Sequence, residues 1–128
     1  GKSTEGKAFA QYFIGNSYLN PKTDARCGLF LANVTFEPGC RSNWHIHHAR
    51  KGGGQILICA AGEGWYQKGG KPAVSLKPGT VITILPEVMH WHGAKKDSWF
   101  SHIAAEIPGE GSSNEWCEPV SDEEYLSL

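Results

Sequence analysis

His45-Ile46-His47-His48, His90-Trp91-His92 and His102 hold all six histidines of this chain. In an extended strand, residues two apart project from the same face, so each His-x-His pair sets two imidazoles on one side of a sheet. Neutral imidazole is a ligand for divalent transition metals and the side chain best suited to moving protons near neutrality. One such pair reads equally as a solvated face or as core histidines bonded to backbone. Two pairs on separate strands point to a shared ion, with spare histidines for acid–base work. His48 is out of phase with His45 and His47 and reads as a rim residue, structural or exposed.

The elements that would position these side chains are short. Sixteen glycines and seven prolines divide the chain into brief apolar runs, the pattern of an all-β domain. Alternation predicts strands over Tyr12–Leu19, Gly28–Phe36, Trp44–His47, Gln55–Ala60, Gly64–Lys68, Ala73–Leu76, Thr80–Leu85, His90–Ala94 and Trp99–Glu106. Glu37-Pro38-Gly39 and Lys77-Pro78-Gly79 read as turns in which proline presets φ and glycine accepts a positive one. Lys68-Gly69-Gly70-Lys71 reads as a hairpin tip, and Lys51-Gly52-Gly53-Gly54, between the first His pair and Gln55, as a flexible stretch within the glycine-rich Ala49–Gly54 segment. Ser121 followed by Glu124 forms a capping box, with Val120 as its staple, so one helical turn is expected over Asp122–Leu126.

Parity then assigns faces. Phe30, Ala32, Val34 and Phe36 make one apolar row. His102 shares its face with Phe100 and Ala104, which makes Phe100 a pocket candidate. Gln55 opens a face that continues with Leu57 and Cys59; a buried amide there needs a partner, which a metal or the neighbouring histidines would supply. Trp91 lies opposite His90 and His92, so it packs on the outer side or at a dimer face. For Trp65 and Trp99, core or interface packing is expected.

The whole chain narrows the function classes. At 128 residues it is expected to form a single domain, 1–128, large enough for a hydrophobic core without staples. Twelve basic residues against 13 acidic ones leave no electrostatic footprint for nucleic acid. No apolar stretch approaches a membrane span and no secretory signal is visible. Cys27, Cys40, Cys59 and Cys117 lack any Cys-x-x-Cys spacing, which argues against a zinc knuckle or a disulfide framework. Reduced thiols in a cytoplasmic protein are the expectation.

Gly39, His45-x-His47, Gln55 and Gly62, followed by Gly79, Leu85 and His90, resemble the two motifs of the cupin superfamily in order. Pro86 is displaced by one position, and Glu87 stands where glycine is usual. Gln55–Gln67, His90–Ala94, Ser101–Ala104 and Glu115–Tyr125 look more narrowly like small single-domain bacterial cupins. That group includes manganese-dependent hydroxynitrile lyases and relatives associated with carboxymuconolactone decarboxylase-like proteins.

The resemblance implies a jelly-roll β-barrel over about residues 28–106, a short C-terminal helical turn, a homodimer and one bound divalent metal. Manganese leads, with iron, nickel or zinc as alternatives. His45, His47 and His90 match the family's histidine ligands. Gln55 stands where most cupins have Glu and the lyase-like group has Gln. His102 matches the histidine that acts as base in the lyases, and His92 a second inward-facing one. One departure stands out: seven residues separate His47 from Gln55, more than in the related proteins. If the barrel absorbs them as a loop, Gln55 reaches the metal; otherwise it stays one layer out.

Three imidazoles and an amide oxygen would leave a divalent charge uncompensated. That strengthens the ion as a Lewis acid and disfavours a trivalent state. The expected activity is therefore lyase- or isomerase-like chemistry on a small carbonyl or hydroxyl compound, cyanohydrin cleavage among the options, with His102 or His92 moving a proton. The alternatives are a non-catalytic ligand- or metal-binding cupin and an Fe(II) dioxygenase.

Overall fold

The computed structural model describes residues 12–24, 26 and 29–128. Among the described residues all strand pairs are antiparallel, and they form two main sheets and one small ladder. One sheet joins β1 (Phe13–Ile14), β4 (Arg41–Ser42), β11 (His90–Ala94), β5 (His45–His48) and β14 (Ser113–Trp116) in that order; β8 (Gly64–Lys68) and β9 (Val74–Leu76) extend it from β11. The other has the order β10 (Val81–Ile84), β7 (Gln55–Gly62), β12 (Phe100–Glu106), β3 (Phe30–Phe36) and β2 (Ser17–Pro21). The all-β jelly roll expected from alternation and resemblance is what the chain adopts.

Alternation fills the space between the sheets. Val34 and Phe36 of β3, Leu57 and Cys59 of β7, Leu76, Ile84, Ala94, and Phe100 and Ala104 of β12 form one buried cluster. The row begun at Phe30 turns inward only from Ala32, because Phe30 itself is exposed at the strand's end. Burial pushes the Cys40 thiol up to about 12 and raises that of Cys59, so both behave as small apolar side chains. Cys27 lies outside the described residues.

Several elements differ from expectation. The run Tyr12–Leu19 is two strands, broken at Gly15, whose φ of 90° turns the chain. The glycine-rich segment after His48 is not merely a loop: β6 (Lys51–Gly52) pairs with β13 (Gly109–Glu110). That ladder takes up the extra length, and Gln55 enters β7 in register with Ile84 and Glu106. Gly62, at φ 70°, ends β7 against the start of the adjacent strand β12; a Cβ there would sit 1.7 Å from the Trp99 carbonyl oxygen.

The C-terminal segment closes the outer side of the first sheet. Helix α1 (Asp122–Leu126) starts at Ser121, whose Oγ accepts the Glu124 N–H at 3.1 Å. Val120 and Tyr125 bury against Trp44 and Trp91. Trp91 is thus on the outer side, as its parity required, but its own chain covers it completely rather than a second subunit. Arg41 pins the segment: its guanidinium is 4% exposed, donates to Val120 O and Asp122 Oδ1, and lies 4.2 Å over the Tyr125 ring. Trp65 is half-buried beneath Lys95, whereas Trp99 is 54% exposed beside Tyr18 and takes no part in the core. Among the described residues no helix is long and apolar enough to cross a membrane.

Candidate metal centre

His90 and His45 face each other across β11 and β5, and His47 follows two residues on, on the same face. Their ligating nitrogens all lie within 4.8 Å of one another. Ring centroids are 4.2 Å apart for His45–His90, 5.1 Å for His45–His47 and 5.2 Å for His47–His90. The arrangement follows from alternation on two adjacent antiparallel strands.

Each imidazole is oriented by a hydrogen bond from Nδ1. His45 donates to Asn43 O at 2.9 Å, His90 to Val88 O at 3.0 Å and His47 to Asn114 Oδ1 at 2.8 Å. With Nδ1 protonated, Nε2 is the free lone pair, the tautomer a ligating histidine needs. Nε2 of His47 and of His90 is buried with no hydrogen-bond partner, and so is Gln55 Oε1. Unpaired buried acceptors are costly, and a shared cation would satisfy all three together. The residues present therefore fit a divalent ion held by His45, His47 and His90.

Gln55 lies at the edge of this set. Its Nε2 donates to Glu106 Oε1 at 2.9 Å, and Oε1 remains unpartnered. The sequence reading anticipated that the amide needs a partner but overlooked Glu106, although the parity of β12 places it on the same face as Phe100, His102 and Ala104. Burial raises the Glu106 pKa, while His47 and Gln55 pull it down. Asn114 and Trp116 were also missed, because the polar run Ser113–Trp116 carries no apolar alternation. Trp116 packs 4.7 Å from the His45 ring.

His92 and His102 lie deeper. Their rings meet edge to face at 5.0 Å, and His92 is 5.6 Å from His45. His92 Nδ1 and both nitrogens of His102 lack hydrogen-bond partners. The ladder between β12 and β7 shifts register beside His102, an irregularity of the kind that re-aims a side chain. Phe100, the expected pocket residue, is instead fully buried in the core below His102. These five imidazoles, apart from His90, line a cavity of about 240 Å³ whose remaining wall is chiefly Phe13, Leu19, Ala32, Val34, Ala104 and Trp116. Among the described residues no lysine or arginine lines it, and Glu106 is its one carboxyl group.

Burial holds His45, His90, His92 and His102 neutral. It lowers His90 and His102 to about 4, and places His45 and His92 well below the ordinary value. A folded pKa below the unfolded one means that the unfolded chain binds more protons between the two values. Stability is then fully present above pH about 6.5 and lost as the pH falls toward 4. For fully buried His102 alone the loss is roughly 3 kcal/mol, a large share of a domain's total, and the neighbouring imidazoles add in the same direction. The metal-free protein, kept in chelator, is expected to unfold in this window when followed by tryptophan fluorescence; an unchanged denaturation midpoint from pH 7 to 4 would contradict the burial.

His48 stays on the rim. It bridges Glu87 and Glu115, and these carboxylates, Glu115 foremost, raise its pKa. Glu87 takes the left-handed φ of 69° expected of the glycine it replaces; its backbone N–H donates to His47 O and its carboxylate accepts from Ala49 N.

A sequence model of the AraC-like ligand binding domain matches residues 31–104. The (R)-mandelonitrile lyase of Granulicella tundricola is 37% identical over 127 residues, which is 98% of this chain and 94% of that protein. The chain is a cupin. The crystal structure of a cupin-like protein from Thermotoga maritima superposes on this cupin with TM-score 0.80 at 39% identity, covering 92% of this chain and 88% of that one. A cupin 2 conserved barrel domain protein from Rhodopseudomonas palustris shares the fold at 13% identity, with TM-score 0.68 over 91% of this cupin and 74% of its own length.

Proposed function

We propose that this cupin is a metal-dependent lyase for small neutral hydroxyl or carbonyl compounds, with cyanohydrin cleavage as the leading reaction and Mn²⁺ as the leading ion. The observation that carries the reading is a cluster of three imidazoles, each with Nδ1 hydrogen-bonded, opening on a largely apolar cavity with two further neutral imidazoles in its wall. The likeness to a mandelonitrile lyase supports it. When bound, a divalent ion supplies Lewis acidity toward a substrate oxygen.

The chain's own residues do the rest. Val34, Ala32 and Leu19 offer an apolar wall to a neutral substrate, and the absence of lysine and arginine among the described residues of the lining disfavours carboxylates. Neutral His102, or His92 beside it, accepts the hydroxyl proton. The C–C bond to cyanide then breaks, the electron pair leaves with cyanide, and the imidazolium returns its proton to give hydrogen cyanide and an aldehyde.

Protein loaded with Mn²⁺ is expected to hold about one ion per chain and to convert mandelonitrile to benzaldehyde, followed by ultraviolet absorbance. A fully loaded protein that yields no benzaldehyde overturns the cyanohydrin reading. Saturable binding of a small ligand without turnover would favour the non-catalytic reading that the ligand-binding family suggests. Oxygen uptake with Fe²⁺ would favour the dioxygenase. The homodimer belongs to the same proposal: Ile58 and Val81, paired across β7 and β10, stand 40% and 56% exposed on the second sheet's outer face, and sedimentation of twice the chain mass is the expected result. A cytoplasmic setting is likewise proposed, supported by free Cys40, Cys59 and Cys117.

A further inference from the structure

Among the described residues Glu106 is the one carboxyl group lining the cavity, and it touches the Gln55 amide, whose orientation is ambiguous by shape. A glutamine amide fills nearly the same volume with its oxygen or its NH₂ pointing inward. An inward NH₂ would aim two protons at the imidazole lone pairs and repel a cation; an inward oxygen adds a donor atom. Glu106 decides between them. Gln55 Nε2–H donates to Glu106 Oε1 at 2.9 Å, which leaves Gln55 Oε1 as the buried, unpartnered atom. The backbone makes the contact obligatory: Glu106 sits directly opposite Gln55 in the β12–β7 ladder.

We propose that Glu106 is a positioning residue for the metal centre: through Gln55 it turns the amide oxygen toward His45 and His47, and it supplies, one hydrogen bond further out, the negative charge that the neutral donor set lacks. This rests on the metal-binding reading above. A carboxylate behind the amide also polarises it and makes Oε1 a stronger donor, the role that outer partners have toward ligating side chains.

The test is Mn²⁺ titration by calorimetry together with the electron paramagnetic resonance spectrum of the bound ion, in the parent, Glu106→Gln, Gln55→Ala and the double variant. Glu106→Gln is close to isosteric, and circular dichroism checks that it folds. It should weaken Mn²⁺ binding about 10–100-fold and change the spectrum. In the Gln55→Ala background the same substitution should cost clearly less affinity than in the parent, since the amide that Glu106 orients is gone. The exchanged pair Gln55→Glu with Glu106→Gln should restore tight binding. Parent-like affinity in Glu106→Gln, or an equal loss with and without Gln55, overturns the inference while leaving the metal centre standing. A parent that takes up no Mn²⁺ overturns the metal centre itself, and this inference with it.

Discussion

His45→Ala is expected to abolish metal uptake. His45 is 2% exposed, stands 4.2 Å by ring centroid from His90, and is locked by its bond to Asn43 O with Nε2 turned to the cluster. Losing one of three imidazoles removes a direct donor, so the effect should exceed the roughly 10–100-fold loss typical of an outer partner. Thermal unfolding reads it without reference to any substrate. At a Mn²⁺ concentration about 100 times its dissociation constant, the parent gains about 2.7 kcal/mol of stability; His45→Ala should gain none at that concentration. In metal-free buffer the variant is not penalised for a lost ligand, since only the folded, loaded state uses one. A metal-dependent rise in unfolding temperature that survives in His45→Ala would place the ion elsewhere.

His102→Ala is expected to do the reverse, keeping the metal and losing turnover. Its ring is fully buried, both its nitrogens lack partners, and it meets His92 rather than the three-imidazole cluster. Transfer of a proton by a positioned side chain contributes about 10²–10⁴-fold, so kcat should fall by that factor with unchanged Mn²⁺ affinity. The pH profile gives a second readout. A base must be neutral, and burial lowers His102 to about 4, so the rate should be flat through neutrality and fall only as the pH approaches 4. Measurements on the acid side need fluorescence alongside, because the metal-free fold weakens over the same range. Undiminished turnover in His102→Ala assigns the proton to His92 alone; loss of metal would make His102 a ligand.

The chain's local pattern predicts an all-β domain in which each His-x-His pair shares a face, and the resemblance of its motifs to cupins adds the jelly roll with His45, His47, His90, His92 and His102 turned inward. Period-2 alternation decides which side chains share a face, and burial of the apolar set makes that decision stringent. The capping box at Ser121 is equally local and forms as expected. What lay beyond the sequence is pairing between strands. The polar strand Ser113–Trp116 shows no apolar rhythm, yet its docking on β5 puts Asn114 on His47 and Trp116 against His45. Whether the glycine-rich insertion displaces Gln55 depended on the β6–β13 ladder, whose partners lie far apart in the chain. Trp91 could be assigned an outer face, but that α1 and Val120 would seal it is a tertiary outcome. Parity alone could have found Glu106; that it meets the Gln55 amide required the register of two strands 51 residues apart. Side-chain direction is a property of one strand, whereas contact is a property of two.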